Sequence, residues 1–171
     1  MYRNDIPLIP QDELAYKLGL TVPENDAHLF ERVRTGSKPP SGWGTQISKP
    51  EYNPNEVFKE LNIPLGLEQF FMRDFIDITG LKKLLTTIQA EDGDALLCFD
   101  YGKLWGLPQK GGHVCVFDRI ENDTIYIIDP ERNVPKYRNV SLGALFKAMN
   151  FHGDANSTGV WKIVPTDSSA K

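Results

Sequence analysis

The stretch from Gly111 to Asn150, GGHVCVFDRIENDTIYIIDPERNVPKYRNVSLGALFKAMN, holds the residues whose types and spacing suit chemistry best. His113 opens one β-like run, HVCVFDRI, and Asp129 closes the next, TIYIID, with the turn Glu121-Asn122-Asp123 between them. In an antiparallel pair the start of the first strand lies beside the end of the second. His113 is nine residues before Asn122 and Asp129 seven after it, so an imidazole and a carboxylate are expected side by side at one rim of a sheet. A carboxylate so placed holds the ring in one tautomer and stabilises the imidazolium, which is what a catalytic thiol needs next to it. Gly111 and Gly112 are expected to leave the approach to His113 uncrowded. The plain alternative is a surface histidine beside a strand-end aspartate.

The cysteines are the next nucleophile candidates. Cys98 and Cys115 lie inside the apolar runs ALLCF and VCVF, where a free cysteine is ordinarily a small buried hydrophobe. Strand alternation puts Cys115 on the face of His113, but away from any helix N-terminus that would favour its thiolate. A metal is a further reading of His113, Cys115, Asp118 and Asp129, with His28 and His152 the other histidines. No HExxH or CxxC spacing supports it, and no GxxxxGK[ST] loop supports phosphate binding. In the long loop SKPPSGWGTQISKPEYNP, Trp43 and Gln46 are candidates for a cleft wall, with hydrogen bonding at a loop the plainer role for Gln46. Tyr101 and Trp105 join Trp43 and His113 as residues that would line a groove if that loop folds over the sheet rim.

The elements that must carry these groups read as helices first and strands second. Helices are expected over QDELAYKLGL (closed by Gly19), over AHLFERVR (capped by Asn25 or Asp26), over NEVFKELN (opened by Asn53 or Asn55) and over GLKKLLTTIQA (capped by Thr79). Strands are expected over LEQFFMRDF, DALLCFD, the hairpin 112–129 and GVWKIV, with Ser141 capping a helix over LGALFKAMN. That order is the α+β class, with helices packed on an antiparallel sheet. One domain over 1–165 and a tail over 166–171 are expected, because no linker divides the chain.

Composition sets the outer limits. The 171 residues carry a net charge of −4 with 40% hydrophobic and 25% charged residues, a globular profile without the basic block that nucleic acid would require. No apolar run approaches the roughly 18 residues of a membrane span, and MYRNDIPLIPQDE lacks a secretory pattern, so the expectation is a cytoplasmic protein. Two cysteines are too few for a disulfide scaffold.

Taken together, these motifs resemble the papain-like cysteine peptidases, in particular the bacteriocin-processing group that cleaves double-glycine leaders. The resemblance rests on Gly112-His113-Val114, on Asp129-Pro130, and on Arg138-Asn139-Val140-Ser141-Leu142 entering LGALFKAM. It extends with less specificity to PQDELAYKLGL, Gly44-Thr45-Gln46, NEVFKELNIPL and DALLCFD, and so covers nearly the whole chain. It implies a papain-like fold, peptide or amide hydrolysis by a Cys-His-Asp triad, His113 as general base and Asp129 as its orienting partner, and no cofactor. The family's nucleophile, a cysteine at a helix start preceded by a glutamine, belongs upstream of the segment matched by PQDELAYKLGL, and the nine residues before Pro10 contain no cysteine. An inactive domain as it stands is therefore expected. A start further upstream, a second polypeptide completing the site, or a pseudoenzyme that binds peptide or protein without cleaving it all remain open.

Overall fold

The computed structural model describes residues 7–36, 44–47, 49–108, 111–131, 134–154 and 157–166. Trp43 lies outside these residues, as does most of the predicted tail. The fold is α+β. By contacts the chain divides into two compact units, Met1–Gly66 with Pro165–Lys171, and Leu67–Val164. Among the described residues no helix is long and apolar enough to cross a membrane.

In the first unit, helix α1 (Gln11–Lys17) starts behind Pro10 and stops where Gly19 takes a φ of +74°. A side chain at Gly19 would collide with the Tyr52 ring, whose Cδ2 lies 2.6 Å from where a Cβ would stand. Strands β1 (Thr21–Val22) and β2 (Arg34–Thr35) pair in parallel, and helix α2 (Pro54–Glu60) is capped by the Asn53 side chain, which accepts from the Asn55 N–H. The helix expected over AHLFERVR does not form. One 3-10 turn runs from Glu24 to Leu29, and Phe30 is extended. Tertiary contacts override the local helical preference: Arg34 pairs with Thr21, donates to the Tyr16 carbonyl and lies over the Tyr16 and Tyr52 rings.

Six strands form the main sheet, in the order β3 (Leu65–Phe71), β8 (Gly159–Pro165), β4 (Ala95–Asp100), β5 (Gly112–Glu121), β6 (Thr124–Ile128), β7 (Tyr137–Ser141). The ladders joining β8, β4, β5, β6 and β7 are all antiparallel. Helices α3 (Ile78–Ala90) and α5 (Leu142–His152) contribute Leu81, Leu85, Ile88, Leu145, Ala148 and Met149 to a core shared with Leu97, Phe99, Ile125, Ile127 and Val160 of the strands. Alternation dictates that face: Ala95, Leu97 and Phe99 point inward on β4, paired with Phe117, Cys115 and His113 on β5.

Several sequence expectations need correction at the element ends. Asp77, not Thr79, caps α3, because its carboxylate accepts from the Thr79 and Gly80 N–H groups. The strand over LEQFFMRDF ends at Phe71, where a 3-10 turn over Met72–Asp74 follows. The strands β1, β2 and β7 were not anticipated, nor was the short helix α4 (Tyr101–Trp105), which Asp100 caps through Lys103 N–H and Gly106 closes at a φ of +68°. Ser141 caps α5 as expected, accepting from the Ala144 N–H.

Candidate functional site

The site grows from the open end of the β5–β6 hairpin. Asn122 turns the chain with a φ of +56°, and the ladder starts with Glu121 opposite Thr124. A bulge between Phe117 and Arg119 then shifts the register, so that Val116 faces Ile128. Continued by one residue, that register sets Asp129 across from Cys115, with His113 one diagonal step further on the same face. The Asp129 N–H donates to the Lys136 carbonyl at 2.8 Å, which fixes the strand end from its other side.

His113 and Asp129 meet. Nε2 of the ring lies 2.7 Å from Oδ1, with the aspartate side chain fully buried and the histidine side chain 17% exposed. Oδ1 also accepts from the Glu131 N–H at 3.0 Å, and Oδ2 accepts from Arg138 Nη1 at 2.9 Å. Burial by itself would raise the Asp129 pKa, but the Glu131 amide, His113 and Arg138 together outweigh it and hold the carboxyl below its ordinary range. An ionised carboxylate can only accept, so the proton of this hydrogen bond sits on Nε2. In the neutral ring Nδ1 then carries the lone pair, and no hydrogen bond reaches it among the described residues.

Aromatic rings fix the imidazole. Phe99 and Tyr101 approach it edge-on, with centroids 5.8 Å and 4.8 Å away. Trp105 stands 6.4 Å from Tyr101, and the Arg138 guanidinium lies 3.3 Å from the Trp105 ring centre. The Trp105 Nε1 is buried with no hydrogen-bond partner among the described residues. Thus Tyr101, Trp105 and His113 come together, while Trp43, the fourth residue of the groove reading, lies outside the described residues.

Cys115 is also within this cluster, with His113, Cys115 and Asp129 ligand atoms all within 4.8 Å of one another. Burial first, and the Asp129 carboxylate second, push its thiol far above the usual range. Burial likewise pushes Cys98 up to about 12. Both are buried free thiols, and neither supplies a thiolate near neutral pH. The same cluster is poorly suited to a cation. Both Asp129 oxygens already accept N–H bonds, the Arg138 charge sits against one of them, and the Cys115 thiol keeps its proton. Asp118 forms an ion pair with Arg119 on the surface, and His28 Nδ1 is 2.7 Å from its own Asn25 carbonyl.

Gly112 has a different role from the one its sequence position suggests. A Cβ there would stand 2.6 Å from His152 Nε2, so the space is filled by a second histidine rather than left open for approach; Gly111 alone faces open space. Gln46 lies in the first unit, where its amide donates to the Gly19 carbonyl and to Thr21 Oγ1, securing the turn after α1. The sequence reading missed the role of Arg138. It matched the residue only by pattern, because the strand that carries it, β7, was not expected: paired with β6, Arg138 sits opposite Ile127, two residues from Asp129 on the same face. No protein-family model and no curated protein sequence matches this chain.

Proposed function

We propose that this chain carries the base half of a papain-like, cysteine-peptidase type of site. In this reading His113 takes a proton from a nucleophilic thiol at Nδ1 and later returns it to the leaving amine, while Asp129 orients the ring from Nε2. The observation that carries it is the 2.7 Å bond from a partly exposed imidazole to a buried, ionised aspartate, which leaves Nδ1 as the ring nitrogen without a hydrogen bond among the described residues. The papain-like fold belongs to the same proposal. It is supported by helices packed on one face of an antiparallel sheet and by the order of the motifs along the chain.

The two cysteines of the sequence are both buried and protonated, so the thiol of such a site comes from outside these 171 residues. The chain alone is then expected to hydrolyse peptides little or not at all. Turnover that survives Cys115→Ala and is lost in His113→Ala would overturn this, since it would require a nucleophile other than Cys115 within the chain. A second reading, a module that binds peptide or protein without cleaving it, is favoured by the aromatic wall of Tyr101 and Trp105 beside His113. The two part on one measurement: a binding module retains peptide affinity in His113→Gln, whereas a half-site completed by an added thiol-bearing segment loses its turnover.

A further inference from the structure

Five side chains of the second unit close a ring of direct contacts. His113 bonds Asp129 at 2.7 Å, Asp129 bonds Arg138 at 2.9 Å, and Arg138 stacks 3.3 Å over Trp105. Trp105 meets Tyr101 edge-on at 6.4 Å, and Tyr101 meets His113 at 4.8 Å. Three elements contribute besides the hairpin end: α4 gives the two aromatic rings, β7 gives the arginine, and the residue after Pro130 gives the amide on Oδ1. We propose that Arg138, held flat on Trp105, is the positioning residue of the dyad, turning the Asp129 carboxylate so that Oδ1 faces His113 Nε2. This inference rests on the dyad reading above and goes beyond it by assigning a residue that touches neither the imidazole nor a substrate.

The physical case starts from the carboxylate. Its two oxygens are chemically alike, and rotation about Cβ–Cγ exchanges them unless their partners differ. Here they do differ: Oδ1 receives the Glu131 amide and the imidazole, and Oδ2 receives the guanidinium. Without Arg138, Oδ2 would lose its charged donor in a fully buried side chain that keeps only the weak Cys115 thiol beside it, and the cheapest relief is rotation toward another donor or uptake of a proton. Turning the carboxylate away removes the acceptor that keeps the imidazole proton on Nε2, and protonating it leaves only a weaker, neutral acceptor there. A lysine cannot substitute fully, because a point charge neither stacks on an indole nor presents a planar fork.

Around the imidazole, the titratable and charged groups among the described residues of this unit are Asp129, Arg138, Cys115 and Tyr101. Nitrogen-15 spectra of His113 report its tautomer directly, and carbon-13 shifts of the Asp129 carboxyl report its titration. The unchanged chain is expected to give a single Nε2–H tautomer at neutral pH and an Asp129 titration below the ordinary carboxyl range. Arg138→Met is expected to mix the two tautomers and move the Asp129 midpoint up. Arg138→Lys is expected to restore the Asp129 titration but not the single tautomer, a split that a merely structural arginine would not produce. A single Nε2–H tautomer in Arg138→Met overturns the inference while leaving the dyad intact. If Arg138→Met does not fold, a single tautomer in folded Arg138→Lys overturns it instead. Asp129→Asn separates the two levels: a spectrum of His113 unchanged by that substitution overturns the dyad reading itself.

Discussion

Two histidines flank the start of β5, each near an aspartate, and the two neighbourhoods have opposite physics. On the helix-covered face His113 bonds a buried carboxylate that has no other duty than to receive side chains and one amide. At Gly112 the second histidine, His152 at the end of α5, packs into the space that a side chain would occupy. Its nearest acid, Asp100, is committed to the backbone: one oxygen accepts from Lys103 N–H at 2.7 Å and the other from Gly111 N–H at 3.0 Å. Burial lowers the His152 pKa, and Asp100 offsets only part of that. The same pair of residue types thus makes a direct hydrogen bond in one place and only a longer-range electrostatic pair in the other. What separates them is where the carboxylate's hydrogen bonds go.

The largest expected effect comes from deleting the carboxylate that serves as a charge. Asp129→Ala leaves the Arg138 guanidinium, 17% exposed, without its counter-charge and removes the imidazole's partner. Breaking a buried pair from one side costs about 3–5 kcal/mol, so a loss of that size in the unfolding free energy from urea titration is expected. Asp100→Ala removes one helix cap and the bond from Gly111 N–H instead, a loss of about 1–2 kcal/mol with the His113 tautomer unchanged. Equal losses, or an altered His113 signal in Asp100→Ala, would erase the distinction between the two acids.

A smaller effect is expected at Gly112. Gly112→Ala drives a methyl group into the His152 ring, and overpacking of this kind costs about 1–3 kcal/mol. His152→Ala in the same chain should recover part of that loss, because the obstructing atoms belong to the ring. A double variant no more stable than Gly112→Ala would show that the glycine serves the backbone and not the histidine.

The contrast between the two neighbourhoods also explains what could be read from residue order. The hairpin was legible because alternation and a tight turn are local signals, and counting from Asn122 was enough to bring His113 to Asp129 despite the bulge. Helix starts were legible where a side chain caps its own segment, as at Asn53 and Ser141. Arg138 on Asp129 and His152 under Gly112 were not, because both depend on which strand or helix packs alongside. AHLFERVR failed for the same reason: the contacts of Arg34 with Thr21 and Tyr16 lie outside the segment. Asp77 rather than Thr79 at the start of α3 was a choice between two good caps, decided by the extended backbone at Asp77.

The smallest effect separates the histidines by pH. A histidine whose folded pKa is depressed binds protons less readily in the folded chain than in the unfolded one. Its contribution to stability is therefore complete above the unfolded value of about 6.5 and is lost as pH falls toward the folded value. Asp129 follows the same sign in a lower window, with stability complete above about 3.9 and lost as pH falls through its depressed folded value. His152→Gln should therefore flatten the stability curve as pH falls below about 6.5 while leaving the acid loss below about 4. Taking the difference between the two curves removes His28 and His113, which both chains retain. Superimposable slopes just below about pH 6.5 would mean that His152 is as easily protonated folded as unfolded, and that its ring is solvated rather than packed against Gly112.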